Sequence, residues 1–162
     1  MVLTITSIDY SIYDKCRTSE RMKMEFSSFK EVLGLKEKIR TPLDLVALGG
    51  KGVSKGAVSR LAKHLSIGLQ EMAPLLSVNL RTIQRYTSEK VFSRPVSERV
   101  LRIALVVSKG EEIFGSGEQF KIWMKEPNRA LAEQKPLDLL VSDFGIDLVL
   151  EELGRIEHGI IS

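Results

Sequence analysis

The stretch "LQEMAPLLSVNLRTIQRYTSEK" (residues 69–90) decides how this chain is read, because its apolar residues fall at helical steps on both sides of a two-residue break. Met72, Leu75 and Leu76 share one face of a short first helix, and Ala73 is small enough to let a second helix approach. Ser77-Val78 makes the turn, Val78 fills the space between the helices, and Asn79 suits the cap of a second helix anchored by Ile83. A short helix, a tight turn and a second helix make a helix-turn-helix, whose second helix enters the major groove of DNA. Burial of Ile83 leaves Leu80, Arg81, Thr82, Gln84 and Arg85 on or near the outward face. Arginine can donate two bonds to guanine, glutamine can pair with adenine, and threonine can bond a base edge or touch a thymine methyl. The predicted DNA-binding set is Asn79, Arg81, Thr82, Gln84 and Arg85, with Tyr86, Lys90 and Arg94 suited to phosphate contacts. Two features work against the motif. Ser77 stands where glycine is usual, so its backbone is strained, and Pro74 removes a hydrogen bond from the first helix.

The flanking segments are also helical. "TPLDLVALGG" has Thr41 as N-cap, Pro42 at the first helical position and Gly49–Gly50 as the expected stop. "VSKGAVSRLAKHLSIG" places Val58, Leu61, Ala62 and Leu65 on one face and is expected to end near Gly68. From about Pro95 a long helix carries Val96, Val100, Ile103, Ala104 and Val107; some 19 residues at 1.5 Å make it about 28 Å long. The last helix begins after a Ser142 cap, with Phe144, Leu148, Val149, Leu153 and Ile156 expected to face inward. Seven or eight helices are expected in all. Residues 1–28 show no sustained helical period and read as an N-terminal arm. The organisation predicted is all-α: an arm (1–28), a helix-turn-helix domain (29–94) and a C-terminal helical domain (95–162) joined to it by the long helix.

Charge supports a division of labour. Residues 1–94 hold 16 Lys+Arg against 9 Asp+Glu, a net +7, whereas residues 95–162 hold 8 against 12, a net −4. A basic front suits a polyanion and an acidic back does not. No apolar run approaches the ~20 residues of a membrane span, and the N-terminus lacks the pattern of a secretory signal. The lone cysteine, Cys16, excludes an internal disulfide and a cysteine-based zinc site, which points to a reducing cytoplasm.

Catalytic chemistry is poorly provided for. "GGKGVSKG" lacks the spacing of a phosphate loop, and its third glycine, Gly56, comes one position late for a dinucleotide fingerprint. The histidines are His64 and His158, and no zinc or nucleophile-elbow pattern is present. The acidic pairs Glu111-Glu112 and Glu151-Glu152 read as solvated. Neither an enzyme, a cofactor nor a metal is expected.

In the back half, "W-x3-P-N-x-A-L-x4-P-L-D-L-L" (Trp123–Leu140) and "L-G-R-I-E-H-G" (Leu153–Gly159) follow the helix-turn-helix in fixed order. "LLSVNLRTIQRY" is similar to the helix-turn-helix of Xre-type regulators, and the whole order resembles the Xre/MbcA/ParS-like antitoxins across about residues 30–162. A glycine usual in the loop before Pro-Leu-Asp-Leu-Leu is here Gln134. The resemblance implies a bacterial type II toxin–antitoxin module. The partner would be a RES-domain toxin that consumes NAD⁺, the antitoxin would occlude its active site with the C-terminal segment, and the front half would bind operator DNA and repress the operon. The toxin-binding residues it implies are Trp123, Arg155, Ile156, Glu157, His158, Gly159 and Ile160. By themselves, Arg155 and His158 read as serving only the last turn, where cations are favoured by the helix dipole; the resemblance turns that reading toward a toxin contact. A homodimer is expected, since a helix-turn-helix reads two half-sites. The alternative is a solitary helix-turn-helix transcriptional regulator whose C-terminal half serves dimerisation only.

Overall fold

The computed structural model describes residues 27–37, 39–87 and 90–159. Cys16, nearly all of the arm and Ile160 lie outside them.

Among the described residues there are nine α-helical segments: α1 (27–33), α2 (Pro42–Lys51), α3 (Lys55–His64), α4 (Leu69–Leu75), α5 (Leu80–Arg85), α6 (Arg94–Phe114), α7 (Gly117–Lys125), α8 (Pro136–Leu139) and α9 (Asp143–Glu157). A 3₁₀ turn covers Arg129–Leu131, and two isolated antiparallel bridges, Ser54–Val91 and Asn128–Gln134, close loops.

The architecture is organised by α6. Its 21 residues reach about 31 Å at 1.5 Å each. It packs against α2 and α3 on the helix-turn-helix side and against α7 and α9 on the other. Val100, Leu101, Ile103, Ala104, Val106 and Val107 are all buried, so this helix is apolar around much of its girth. It therefore serves two neighbours at once. One apolar cluster runs from Phe29 through Leu61, Met72 and Ile83 to Phe120, Ile146 and Leu153.

Two side-chain absences let helices close on α6 and on α9. A Cβ at Gly110 would lie 2.1 Å from the Phe120 ring, and one at Gly145 would lie 1.9 Å from the Leu139 carbonyl oxygen. Ser97 is fully buried and satisfied: its hydroxyl donates to the Phe92 carbonyl at 3.1 Å and accepts the Val53 N–H at 2.9 Å. That pair of bonds ties the α2–α3 loop and the α5–α6 loop to the spine.

Several boundaries differ from expectation. Thr41 caps α2 in a capping box with Asp44, but Gly49 and Gly50 lie within the helix, which stops at Gly52 with φ 90°. A side chain at Gly49 would meet Glu98 of α6 at 2.9 Å. α3 ends at His64, earlier than Gly68, because Ser66 turns left-handed at φ 52°; Gly68 instead caps α4.

In α9 the inward set is Ile146, Val149 and Leu153, with Ile156 half-buried. Phe144 and Leu148, expected inside, are outside at 85% and 47% exposure. The packing of Gly145 against Leu139 fixes the helix phase, and residues 145, 146, 149, 152 and 153 follow at helical steps. Glu152 therefore falls on the buried side, contrary to its expected solvation, and is held there by Arg155 at 3.1 Å.

Candidate functional site

The first candidate surface is built on α4 and α5. Ser77 turns the chain at φ 54°, and the Val78 N–H donates back to the Ala73 carbonyl at 3.0 Å. This is a left-handed helix end made without glycine. Pro74 is itself exposed and sits one residue before the end of α4, where only a few helical bonds remain to be lost. Asn79 caps α5 by accepting the Arg81 N–H at 2.9 Å, and Ile83 is fully buried. Arg81, Gln84 and Arg85 are exposed and Thr82 half-buried, all projecting from this short helix. Among the described residues, no ion pair engages Arg81 or Arg85.

Tyr86 and Lys90 occupy the end of the motif. The Tyr86 ring stacks on Phe92 at 4.6 Å, and Lys90 Nζ sits 4.4 Å from its centroid. The stack anchors the tyrosine, and the lysine remains exposed above it.

The second candidate surface is the end of α9. Arg155 donates to Glu151 at 2.8 Å and Glu152 at 3.1 Å; its bond to Glu151 holds the guanidinium pKa above the ordinary arginine value. Glu157 lies 3.7 Å from Lys109 of α6, which fastens the last turn to the spine. His158 is exposed at the C-cap, and Gly159 follows at φ 68°, where the chain leaves the helix. Ile156 is half-buried. Trp123 is half-buried in a cluster with Phe114 at 5.6 Å and Phe120 at 6.2 Å.

Four residues that matter to these surfaces escape a reading by pattern. Lys55 Nζ donates to the carbonyls of Gln84 at 3.1 Å and Tyr86 at 2.9 Å, closing the C-terminal end of α5. His64 Nδ1 and Glu111 Oε1 meet at 2.8 Å, joining α3 to α6, so Glu111 is not the solvated acid expected. Arg99 is the widest link. Its guanidinium donates to the Leu75 carbonyl at the end of α4, to the Leu140 carbonyl at 3.0 Å and to Asp143 at 3.1 Å. Arg102 adds bonds to Asp143 at 2.9 Å and to Asp147.

The loop before α8 turns without a glycine. Ala132 and Glu133 both take positive φ, 55° and 60°, and the Asn128–Gln134 bridge closes the turn. No group of three or more potential metal ligands, and no helix long and apolar enough to cross a membrane, occurs among the described residues.

Residues 44–105 match a family model described as the antitoxin Xre-like helix-turn-helix domain, and residues 109–159 match the antitoxin Xre/MbcA/ParS C-terminal toxin-binding domain. The chain is 28% identical over 120 residues to an Antitoxin Xre of Photorhabdus laumondii, covering 73% of this chain and 81% of that protein. It is 27% identical over 112 residues to the mycobacterial cidal antitoxin MbcA of Mycobacterium tuberculosis, covering 68% and 97%. A chain in the crystal structure of the M. tuberculosis MbcT–MbcA toxin–antitoxin complex superposes with a TM-score of 0.51 at 22% identity, covering 67% of this chain and 96% of that chain. At that identity the likeness is one of fold.

Proposed function

We propose that this chain, which belongs to the Xre/MbcA/ParS antitoxin family, neutralises a RES-domain, NAD⁺-degrading toxin by occluding its active site with the end of α9. It also represses its own operon by binding DNA through α5. Family membership carries the coarser statement, an antitoxin whose C-terminal part binds a toxin.

The observation that carries the finer reading is the end of α9. Its last turn is fastened by Arg155–Glu151/Glu152 and Glu157–Lys109, and it ends in an exposed His158 beyond which Gly159 redirects the chain. A pre-ordered polar helix end costs little entropy when it enters a pocket evolved for a charged dinucleotide. Ile160 would continue that segment, and Trp123 would brace the domain rather than reach the pocket. On the front face, Arg81, Thr82, Gln84 and Arg85 would read base edges, Asn79 would set their helix, and Tyr86 and Lys90 would hold phosphate. A homodimer would then present two such helices to two half-sites.

The test is co-expression of the neighbouring reading frame with the full chain and with a version ending at Gly154, following cellular NAD⁺ and growth. Rescue by the full chain only, with both versions still binding the partner, is the expected result. Equal rescue would remove the tail from the mechanism. Rescue by neither would leave the solitary regulator as the better reading.

A further inference from the structure

α2 turns one face to the spine, and among the described residues nothing covers the opposite face. Leu43, Val46, Ala47 and Gly50 are all exposed, with Leu43 at 75% and Val46 at 55%. Their spacing is i, i+3, i+4 and i+7, which at 100° per residue makes a stripe about 100° wide. This is the width of a helix-packing face, and it lies on a helix whose other side is already buried through Leu48 and Gly49. A Cβ at Gly50 would meet nothing within 4 Å, so the C-terminal half of the stripe is low and open.

The charges beside the stripe are ordered. Asp44 and Lys51 lie seven residues apart, hence roughly 20° apart around the helix, on the same flank of the apolar face. Asp44 is kept anionic by accepting the Arg40 and Thr41 N–H groups, each at 2.9 Å. Lys51 is exposed and pairs locally with Glu37 at 3.0 Å.

We infer that α2 is the self-association surface, pairing with α2 of a second copy antiparallel about a two-fold axis. The inference rests on the reading, proposed above, of a chain that binds two DNA half-sites. Antiparallel pairing brings like flanks together, so Asp44 faces the partner's Lys51, and the contact is made twice by symmetry. The helix dipoles oppose in the same arrangement. Parallel pairing would lose both matches. Leu43 and Val46 supply the apolar anchors at the ends and centre, while Ala47 and Gly50 let the backbones approach. The stripe is only about 12 Å long, small beside the ~800 Å² per partner of a standard interface. The pair is therefore a weak one in free solution, completed when two copies share one DNA.

The experiment uses the full chain with Cys16→Ser and Ala47→Cys, which places one thiol near the middle of the stripe and hence near the two-fold axis. A control carries Gln119→Cys, exposed on α7, in the same background. Mild oxidation should link Ala47→Cys to itself and leave the control monomeric, since a disulfide needs Cα atoms within about 7 Å. Adding Leu43→Glu should abolish the link and weaken dimerisation by sedimentation at least about tenfold, with the circular dichroism unchanged. A dimer by sedimentation whose Ala47→Cys stays reduced would overturn the inference while leaving the dimer itself standing. A chain that stays monomeric and unlinked at every concentration, with the DNA upstream of its reading frame present as well as without it, would remove both. A monomer whose introduced thiol resists a soluble thiol reagent would also overturn it, and would mean that residues 1–26 of the same chain cover the stripe.

Discussion

Lys55 Nζ lies 2.9 Å from the Tyr86 carbonyl and 3.1 Å from that of Gln84, so the first residue of α3 closes the last turn of α5. A six-residue helix has few bonds of its own, and two of its orphan carbonyls are satisfied from 29 and 31 residues away. Lys55→Met should keep the aliphatic stem and lose both bonds, lowering stability by about 1–2 kcal/mol. Affinity for DNA upstream of the chain's own reading frame should fall as well, although Lys55 is not among the residues proposed to touch DNA. A urea titration and a gel-shift titration on the same variant check the two parts.

Arg81 and Lys90 are expected to fail differently. Arg81→Ala should cost about 1–3 kcal/mol on the upstream DNA and little on unrelated DNA if, as proposed, it reads a base. Lys90→Ala should weaken both DNAs alike and lower the slope of log affinity against log salt by about 1. The opposite pattern would exchange the two roles.

Ser77 holds a left-handed conformation that glycine adopts without strain. Ser77→Gly should therefore raise stability by about 1 kcal/mol with an unchanged urea m-value. A loss of stability instead would mean that the serine side chain contributes more than its backbone strain costs.

Asp44 gives a pH-dependent prediction. Hydrogen bonds from the Arg40 and Thr41 N–H groups lower its pKa in the folded chain below the ordinary value of 3.8. The carboxylate's contribution is thus present above the unfolded value and lost as pH falls through the folded one. The gap in urea midpoint between the native chain and Asp44→Asn should be constant from about pH 7 to 5 and close below about pH 4. A gap that persists in acid would assign the effect to the Thr41 side of the capping box.

Much of this molecule is legible locally. Asn79, Ser142 and Thr41 cap helices because a short polar side chain before an apolar period has few other uses, and Ile83 is buried because its helix has one apolar anchor at the right step. The order of motifs in residues 123–159 identifies the family without any coordinates. What escapes is phase and distance. Phe144 and Leu148 satisfy an inward period as well as Ile146 and Val149 do, and only the contact of Gly145 with Leu139 chooses between them. Gly49 and Gly50 look like a stop because composition cannot show that α6 lies against one of them. Lys55–Tyr86, His64–Glu111 and Arg99–Leu140 join residues 31 to 47 positions apart, so no window of sequence contains them.

The long helix α6 is a shared wall: the helix-turn-helix packs on one side of it and the C-terminal helices on the other, and Arg99 reaches from it to both. The two family matches part at residues 105 and 109, in the middle of this unbroken helix. A recombination event that joined the front of one relative to the back of another would have to splice through a helix whose opposite faces are already fitted to different neighbours. A hybrid would be expected to need compensating changes along α6 before it folded.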